Sequence, residues 1–379
     1  MKVFFALGTR PEAIKLAPLI RYCRATPQFD VIVCNTGQHK SLAREMLLAF
    51  GIESDIELDI MRRGQTLTEI TTSILNSIES PLRDWCPDWV VVQGDTTTSF
   101  AVALAAFYQK LPVAHVEAGL RTHDRYSPWP EEINRRLNSV LATAHFAPTN
   151  QSRENLISEG VAASQISVTG NTGVDSLFFV SDKLDKDAAF SNQVRSALID
   201  RGLPFLSSPR ATEKSIVVTA HRRENFGAGI EAICRAIVSL AKVRTDLPFI
   251  FPVHPNPEVT GPVDRIIRDE RCPNIFLVAP LDYFSFTYLL KYARLIISDS
   301  GGIQEEAVSL GKKLVILRET TERTELVGQG GVWIVGTEER AIVDAVTQAL
   351  ADKSAGYRSR IFGDGNASAR IAQGLLNLR

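Results

Sequence analysis

Several features are scarce in this chain of 379 residues, and each scarcity narrows what it does. The five cysteines (Cys23, Cys34, Cys86, Cys234 and Cys272) are scattered, odd in number and without C-x-x-C spacing. This argues against a disulfide framework or a zinc site and fits a reducing compartment. Charge of one sign is also missing: 42 Lys and Arg against 43 Asp and Glu leave a formal net charge of -1. No global basic field exists to hold nucleic acid or an anionic membrane, so an anionic partner must meet a local cluster. No apolar stretch approaches the ~18 residues of a membrane span, and the opening run, residues 3–7, is too short for a signal peptide. A soluble, untargeted, cytoplasmic protein is therefore expected. A strand-linked GxGxxG fingerprint, a Tyr-x-x-x-Lys pair, a P-loop and clustered metal ligands are absent too. Nicotinamide-dependent hydride transfer loses support, and neither a cofactor nor a metal is expected.

What is present is an ordinary globular balance, 45% hydrophobic and 22% charged residues, at a length that suits two domains. Short β-rich runs alternate with longer helical stretches, the mark of βαβ units and parallel sheets. Strands are expected at 3–7, 31–35, 89–93, 113–116, 146–148 and 166–168. A second series is expected at 216–219, 249–253, 275–278, 295–298, 313–317 and 332–335. Between them the sequence turns polar, with Pro204 and Ser207-Ser208-Pro209 as punctuation. The expected domains are residues 1–180 and 181–365, both Rossmann-like α/β, with a last helix over 366–379 that returns to the first.

In parallel sheets ligands bind beyond the carboxyl ends of the strands, so the polar residues there matter most. The first strand runs into Gly8-Thr9-Arg10-Pro11-Glu12, where Thr9 and Glu12 have capping-box spacing. Arg10 and Lys15 then lie near a helix start and fit either an anion site or two solvated cations. Gln93-Gly94-Asp95 and His115-Val116-Glu117 follow neighbouring strands, which suits Asp95 and Glu117 to divided acid and base roles; Asp95 equally suits a helix cap. Glu131 and Glu132 open a helix after Pro128-Trp129-Pro130, and fit either catalysis or a favourable charge at that helix start. His221-Arg222-Arg223 puts an imidazole and two guanidinium groups at a strand end, better suited to phosphate than to a core. Ser300-Gly301-Gly302 lets backbone N–H groups approach an anion, and Glu306, a turn further, suits a ribose diol.

Taken together and in order, these motifs, with Gly170-Asn171-Thr172 and Thr320-Thr321-Glu322-Arg323, resemble those of the non-hydrolysing UDP-N-acetylglucosamine 2-epimerases over nearly the whole chain. The resemblance implies a glycosyltransferase-B-like pair of domains with the active site in the cleft between them, and a homodimer. It also implies reversible interconversion of UDP-N-acetylglucosamine and UDP-N-acetylmannosamine, feeding surface polysaccharide synthesis, with UDP as an enzyme-bound intermediate. Carried over by position, Asp95, Glu117 and Glu131 are the catalytic carboxylates, and His221 assists departure of UDP. Arg10, Lys15, Ser300, Gly301 and Gly302 hold phosphates, Glu306 the ribose, Arg323 the nucleotide sugar and Phe286 the uracil. Leu281 stands where some relatives have glutamine; a contact made there by backbone survives the change, and one made by the side chain does not. The alternatives are a hydrolysing 2-epimerase, which the Ser127-to-Glu132 stretch does not resemble, and a glycosyltransferase of the same architecture.

One loop departs from the family. Where bacterial members that are activated by a second UDP-N-acetylglucosamine commonly read Gln-His-Arg-Glu/Gln-Met, this chain reads Gln38-His39-Lys40-Ser41-Leu42. Lys40 lacks the planar fork of arginine, and Ser41 is too short for the contact of a longer side chain. Coupling is typically ~1–3 kcal/mol, so losing one or two hydrogen bonds of ~0.5–1.5 kcal/mol each removes much of it. Initial rates should respond near-hyperbolically to UDP-N-acetylglucosamine, and the reverse reaction should run from UDP-N-acetylmannosamine alone. A sigmoidal curve with a silent reverse reaction would show that the altered loop still supports full activation.

Overall fold

The computed structural model describes residues 1–38, 41–62, 64–208, 211–321, 323–354, 356 and 358–378. Of the residues singled out in the sequence, His39, Lys40, Pro209 and Glu322 lie outside that set. The chain divides into two compact units, Met1–Phe178 with Ile361–Arg379, and Phe179–Arg360.

The first unit is built on seven parallel strands: β1 (Lys2–Leu7), β2 (Asp30–Asn35), β3 (Ile56–Glu57), β4 (Trp89–Gln93), β5 (Val113–Val116), β6 (Ala144–Ala147) and β7 (Ile166–Val168). Their order in the sheet is β3-β2-β1-β4-β5-β6-β7. Strand β1 begins one residue earlier than its apolar run suggests because Lys2 pairs with Asp30. Strand β3 was invisible in the sequence. Two residues long and at the sheet edge, it is defined by its pairing with Cys34 and Asn35 rather than by an apolar run of its own. Strands β4, β5 and β6 are buried along their whole length, as strands covered on both faces must be.

The second unit repeats the plan with β8 (Ile216–Thr219), β9 (Phe249–Pro252), β10 (Ile275–Val278), β11 (Leu295–Ser298), β12 (Leu314–Ile316) and β13 (Val332–Ile334), ordered β10-β9-β8-β11-β12-β13 and all parallel. In both sheets the order reverses beside the unit's first strand, between β1 and β4 and between β8 and β11. These are the switch points at which doubly wound sheets open a crevice. The core of the second unit includes Ile230, Ile237, Phe249, Phe251, Leu295 and Val346.

The last helix, Ala367–Asn377, belongs to the first unit. Its own N-cap residue, Asn366, makes no capping bond. Instead the carboxylate of Asp175, from the helix Thr172–Lys186, accepts from Ala367 N (3.1 Å) and Ser368 N (2.7 Å). At the other end the indole of Trp89 donates to Leu375 O at 3.2 Å. A helix with no acidic residue in its first turn is thereby capped from a distance in sequence.

Two histidines stand side by side in this sheet, His115 on β5 and His145 on β6, paired in register and both buried. Burial is the main cause that pushes His115 down to about 3 and His145 down to about 4, so both are neutral in the fold. An unfolded histidine takes up its proton near pH 6.5. Below that pH the unfolded chain binds more protons, and stability falls as pH drops from 6.5 towards 4, with nothing lost above 6.5. At pH 5 the penalty is about 2 kcal/mol for each histidine. Thermal unfolding midpoints should fall between pH 7 and pH 5, and the double variant His115→Gln/His145→Gln should lose most of that fall. A variant with an undiminished fall would rule the two histidines out as its cause.

Candidate active site

In the first unit the polar residues gather at the carboxyl ends of β1, β4 and β5. The turn after β1 is fixed by Glu12, which is fully buried. Its Oε2 accepts from Gly8 N (3.0 Å), Thr9 N (2.8 Å) and Thr9 Oγ1 (2.8 Å), and its Oε1 from Thr96 Oγ1 (2.6 Å). The capping box expected of Thr9 and Glu12 is therefore present and extends to the turn after β4. Burial pushes the Glu12 carboxyl up, against those hydrogen bonds, which lower it. A Cβ on Gly8 would lie 2.2 Å from Thr36 Oγ1 and 2.5 Å from Thr98 Oγ1, so only glycine lets β1 turn this closely. Arg10 is the first residue of the helix Arg10–Arg24.

Glu117 stands one residue beyond β5. Its φ of 64° is in the left-handed region, a cost of roughly 1–3 kcal/mol for a residue with a Cβ. Three donors meet its carboxylate: Lys15 Nζ at 2.7 and 2.5 Å, Asn171 Nδ2 at 3.2 Å, and Gln93 Nε2. Lys15, read from the sequence as a cation near a helix start, is thus the ion-pair partner of a buried carboxylate. Asn171 is held in turn by the returning C-terminal segment, its N–H donating to Phe362 O at 2.6 Å.

Asp95 does not cap the helix that follows it. That role falls to Thr96, whose hydroxyl accepts from Ser99 N at 2.9 Å. The Asp95 carboxylate instead meets Arg135, with Nε and Nη2 both 2.8 Å from Oδ2, and its backbone carbonyl accepts from Asn134 Nδ2 at 2.9 Å. The two glutamates that open the helix Glu131–Leu141 separate in role. Glu132 is structural, accepting from Thr122 N (3.0 Å), His123 N (3.2 Å) and Arg135 Nη1 (3.2 Å). Glu131 keeps a buried Oε2 with no hydrogen-bond partner among the described residues. Under these side chains His115 Nε2–H donates to Gly94 O at 2.7 Å, and Asn138 Nδ2 donates to the same carbonyl at 3.2 Å. Arg121 is structural as well, its fully buried side chain paired with Glu159 at 2.6 Å.

In the second unit the loop after β8 is organised by Asp299, the residue after β11. Asp299 is fully buried, and its Oδ2 accepts from His221 N (2.9 Å), Arg222 N (2.8 Å) and Asn225 Nδ2 (3.1 Å). The His221 ring stacks on His254, centroids 5.5 Å apart and planes 16° apart. Burial holds the His221 imidazole below its usual value, Asp299 opposes that, and Arg222 and His254 add to it.

Ser300 precedes the helix Gly301–Ser309 and makes no side-chain cap. A Cβ on Gly301 would come 2.8 Å from Arg323 Nη1, whereas one on Gly302 would meet nothing within 4 Å. Arg323 reaches Glu305 Oε1 through Nε (2.9 Å) and Nη2 (2.7 Å), and Thr321 Oγ1 donates to Gln304 Oε1 at 2.6 Å. Glu306 lies by the Tyr283 hydroxyl, which burial first and then the Glu306 charge push well above its usual value. Leu281 is buried just before Asp282, the cap of the helix Tyr283–Tyr292, on which Phe286 is half-buried.

Of the site residues read from the sequence, Arg10, Asp95, Glu117, Glu131, His221, Leu281, Ser300, Gly301 and Gly302 lie at or beside a strand end or a helix start, whereas Lys15, Phe286 and Glu306 lie further along their helices and Arg323 in the segment after β12. Sequence reasoning gave no role to Gln93, Arg135, Asn171 or Asp299. All four stand in or beside motifs it quoted, but their partners are 24, 40, 54 and 78 positions away.

A family model described as UDP-N-acetylglucosamine 2-epimerase matches residues 21–376. The chain is similar to the UDP-N-acetylglucosamine 2-epimerase of Yersinia pestis, 48% identical over 100% of this chain and 99% of the relative. It is also similar to that of Escherichia coli strain K12, 47% identical over 100% and 99%. Among solved structures, the Neisseria meningitidis UDP-GlcNAc 2-epimerase bound to UDP-GlcNAc matches with a TM-score of 0.90 and 45% identity over 100% of both chains.

Proposed function

This chain belongs to the UDP-N-acetylglucosamine 2-epimerase family, and we propose that it inverts C2 of UDP-N-acetylglucosamine, reversibly and without hydrolysis, with the residues of the two polar sets in divided roles. The observation that carries this reading is the pair of carboxylates on adjacent strand ends, Glu117 held by a cation and two amides and Asp95 by Arg135.

The C2 proton is too weakly acidic for direct removal, so the reaction starts with elimination. A carboxylate takes the C2 proton, the C–H electron pair becomes the C1=C2 bond of 2-acetamidoglucal, and the C1–O bond breaks to release UDP. In return a UDP oxygen attacks C1, and a proton is delivered to the opposite face of C2. Two faces need two proton-transfer groups, and Asp95, Glu117 and Glu131 supply them or hold them in place. Departing UDP gains negative charge, which His221 and the helix start at Ser300, Gly301 and Gly302 stabilise, as preorganised donors do. Arg10 serves the phosphates, and Lys15, paired with Glu117, holds that carboxylate in place. Glu306, positioned beside Tyr283, takes the ribose, and Arg323 the nucleotide sugar. Phe286 and the backbone at Leu281 take the uracil. The product feeds surface polysaccharide synthesis. No described helix is long and apolar enough to cross a membrane.

We also read the protein as a homodimer. The helix Thr97–Tyr108 exposes Phe107 (57%) and Tyr108 (69%), and the neighbouring helix Glu131–Leu141 exposes Leu137 (39%) and Val140 (82%). A second copy on this apolar face would bury it and brace the helix that carries Glu131 and Arg135.

Three outcomes are expected. In deuterium oxide, proton NMR should show UDP-N-acetylmannosamine with deuterium at C2 and no free N-acetylmannosamine, and His221→Asn should lose about 10²–10³ in turnover at matched folding. Protium retained at C2 would exclude elimination, and near-normal turnover of His221→Asn would remove that residue from the mechanism. In sedimentation velocity the protein should run as a dimer and Tyr108→Glu/Val140→Glu as a monomer. A monomeric parent, or a variant that stays dimeric, would overturn this surface.

A further inference from the structure

Asp299 does more than tie down a loop. Its carboxylate is fully buried, yet its two oxygens have different surroundings. Oδ2 accepts three N–H bonds, from His221 N, Arg222 N and Asn225 Nδ2. Oδ1 has no hydrogen-bond partner among the described residues and lies 3.7 Å from His221 Nδ1. That distance is beyond a hydrogen bond but within ion-pair range. A buried carboxylate oxygen can only accept, and the ring nitrogen nearest to it is the one able to donate.

The groups that face His221 are Asp299, Arg222 and His254. Arg222 and the His254 ring both disfavour a charged imidazole, and burial works in the same direction. Asp299 is the one opposing charge in the set. The Asp299 Oδ2 bonds meanwhile fix the backbone at His221, so the side chain leaves the loop from a set point. The arrangement, a buried acid behind Nδ1 with the far side of a partly exposed ring (37%) left for a ligand, resembles the way an aspartate orients histidine in hydrolytic triads.

We propose that Asp299 is the positioning residue of His221: its Oδ1 selects the Nδ1–H form and stabilises the imidazolium, so that Nε2 is the nitrogen presented to the departing diphosphate. The proposal deepens the reading above, in which His221 meets UDP, and rests on it for its catalytic consequence. The chemistry is a proton held at Nδ1 and a second proton carried on Nε2 in the charged form, which then donates to a diphosphate oxygen.

Asp299→Asn gives a sharp test. The amide oxygen of asparagine can keep the three N–H donors, which turns its NH₂ group towards Nδ1. A donor there demands an unprotonated Nδ1, so the proton of the neutral ring moves to Nε2. The measurement is ¹⁵N–¹H NMR of protein labelled at histidine, with the His221 signals assigned by their loss in His221→Asn. In the parent, neutral His221 should carry its proton on Nδ1. In Asp299→Asn the proton should sit on Nε2, and the titration midpoint should move to lower pH because the stabilising charge is gone. Turnover should fall about 10–100-fold, and the pH at which activity declines should shift in the same direction as the midpoint. A parent ring protonated on Nε2, or a variant with unchanged tautomer and midpoint, would overturn the proposal. The parent tautomer decides the matter even if the variant folds poorly. Full turnover of His221→Asn would sink the catalytic reading, and the tautomer result would still decide what Asp299 does to His221.

Discussion

The thirteen strands among the described residues all pair in parallel, and that constraint orders the rest of the molecule. A parallel strand cannot return by a tight hairpin, so each is followed by a crossover, and every carboxyl end in a sheet falls on the same edge. Polar residues that follow strands scattered along the sequence are thereby assembled without any local signal to join them. Where the order reverses beside β1 and beside β8, two crossovers leave in opposite directions and open room for a ligand. Gly8, Gly94 and Glu117 in one sheet, and His221 and Asp299 in the other, are the consequence.

Each edge is stiffened by a buried acid that accepts several N–H or O–H groups. Glu12 joins the turns after β1 and β4, and Asp299 joins those after β8 and β11. Burial of a carboxylate is unfavourable unless it is hydrogen-bonded, and an oxygen that accepts several bonds holds its donors to one geometry. The carboxylates assigned to proton transfer are treated differently. Glu117 and Asp95 each have a cation at hand, while Glu131 has a buried oxygen with no described partner. The first unit thus carries these three carboxylates, and the second carries His221 and the glycine-containing helix start at Ser300.

Much of the local plan was legible in the sequence. Residues 89–93, 113–116, 166–168, 216–219, 275–278 and 295–298 match their strands end for end, and four of them, 89–93, 113–116, 216–219 and 295–298, are buried along their length, where a strand covered on both faces has to be a short apolar run. The capping box of Thr9 and Glu12 was legible for a similar reason: its spacing is set by one turn of helix. The strand Ile56–Glu57 was not, since two edge residues carry no periodicity.

For the site, the sequence by itself determined which residue types stand at the strand ends, and hence the candidates Asp95, Glu117, Glu131 and His221. It left open what each of them does in its own turn, because an acid beside a helix start suits a cap as well as a catalyst. Only the tertiary structure decided that Thr96 caps and Asp95 pairs with Arg135, that Glu132 braces a loop while Glu131 does not, and that Lys15 belongs to Glu117. The physical reason is the same in each case. Capping spans a few residues and is written in local spacing, whereas an ion pair or a buried hydrogen bond is made by whichever donor the sheet order brings within about 3 Å, however far away it lies in the chain.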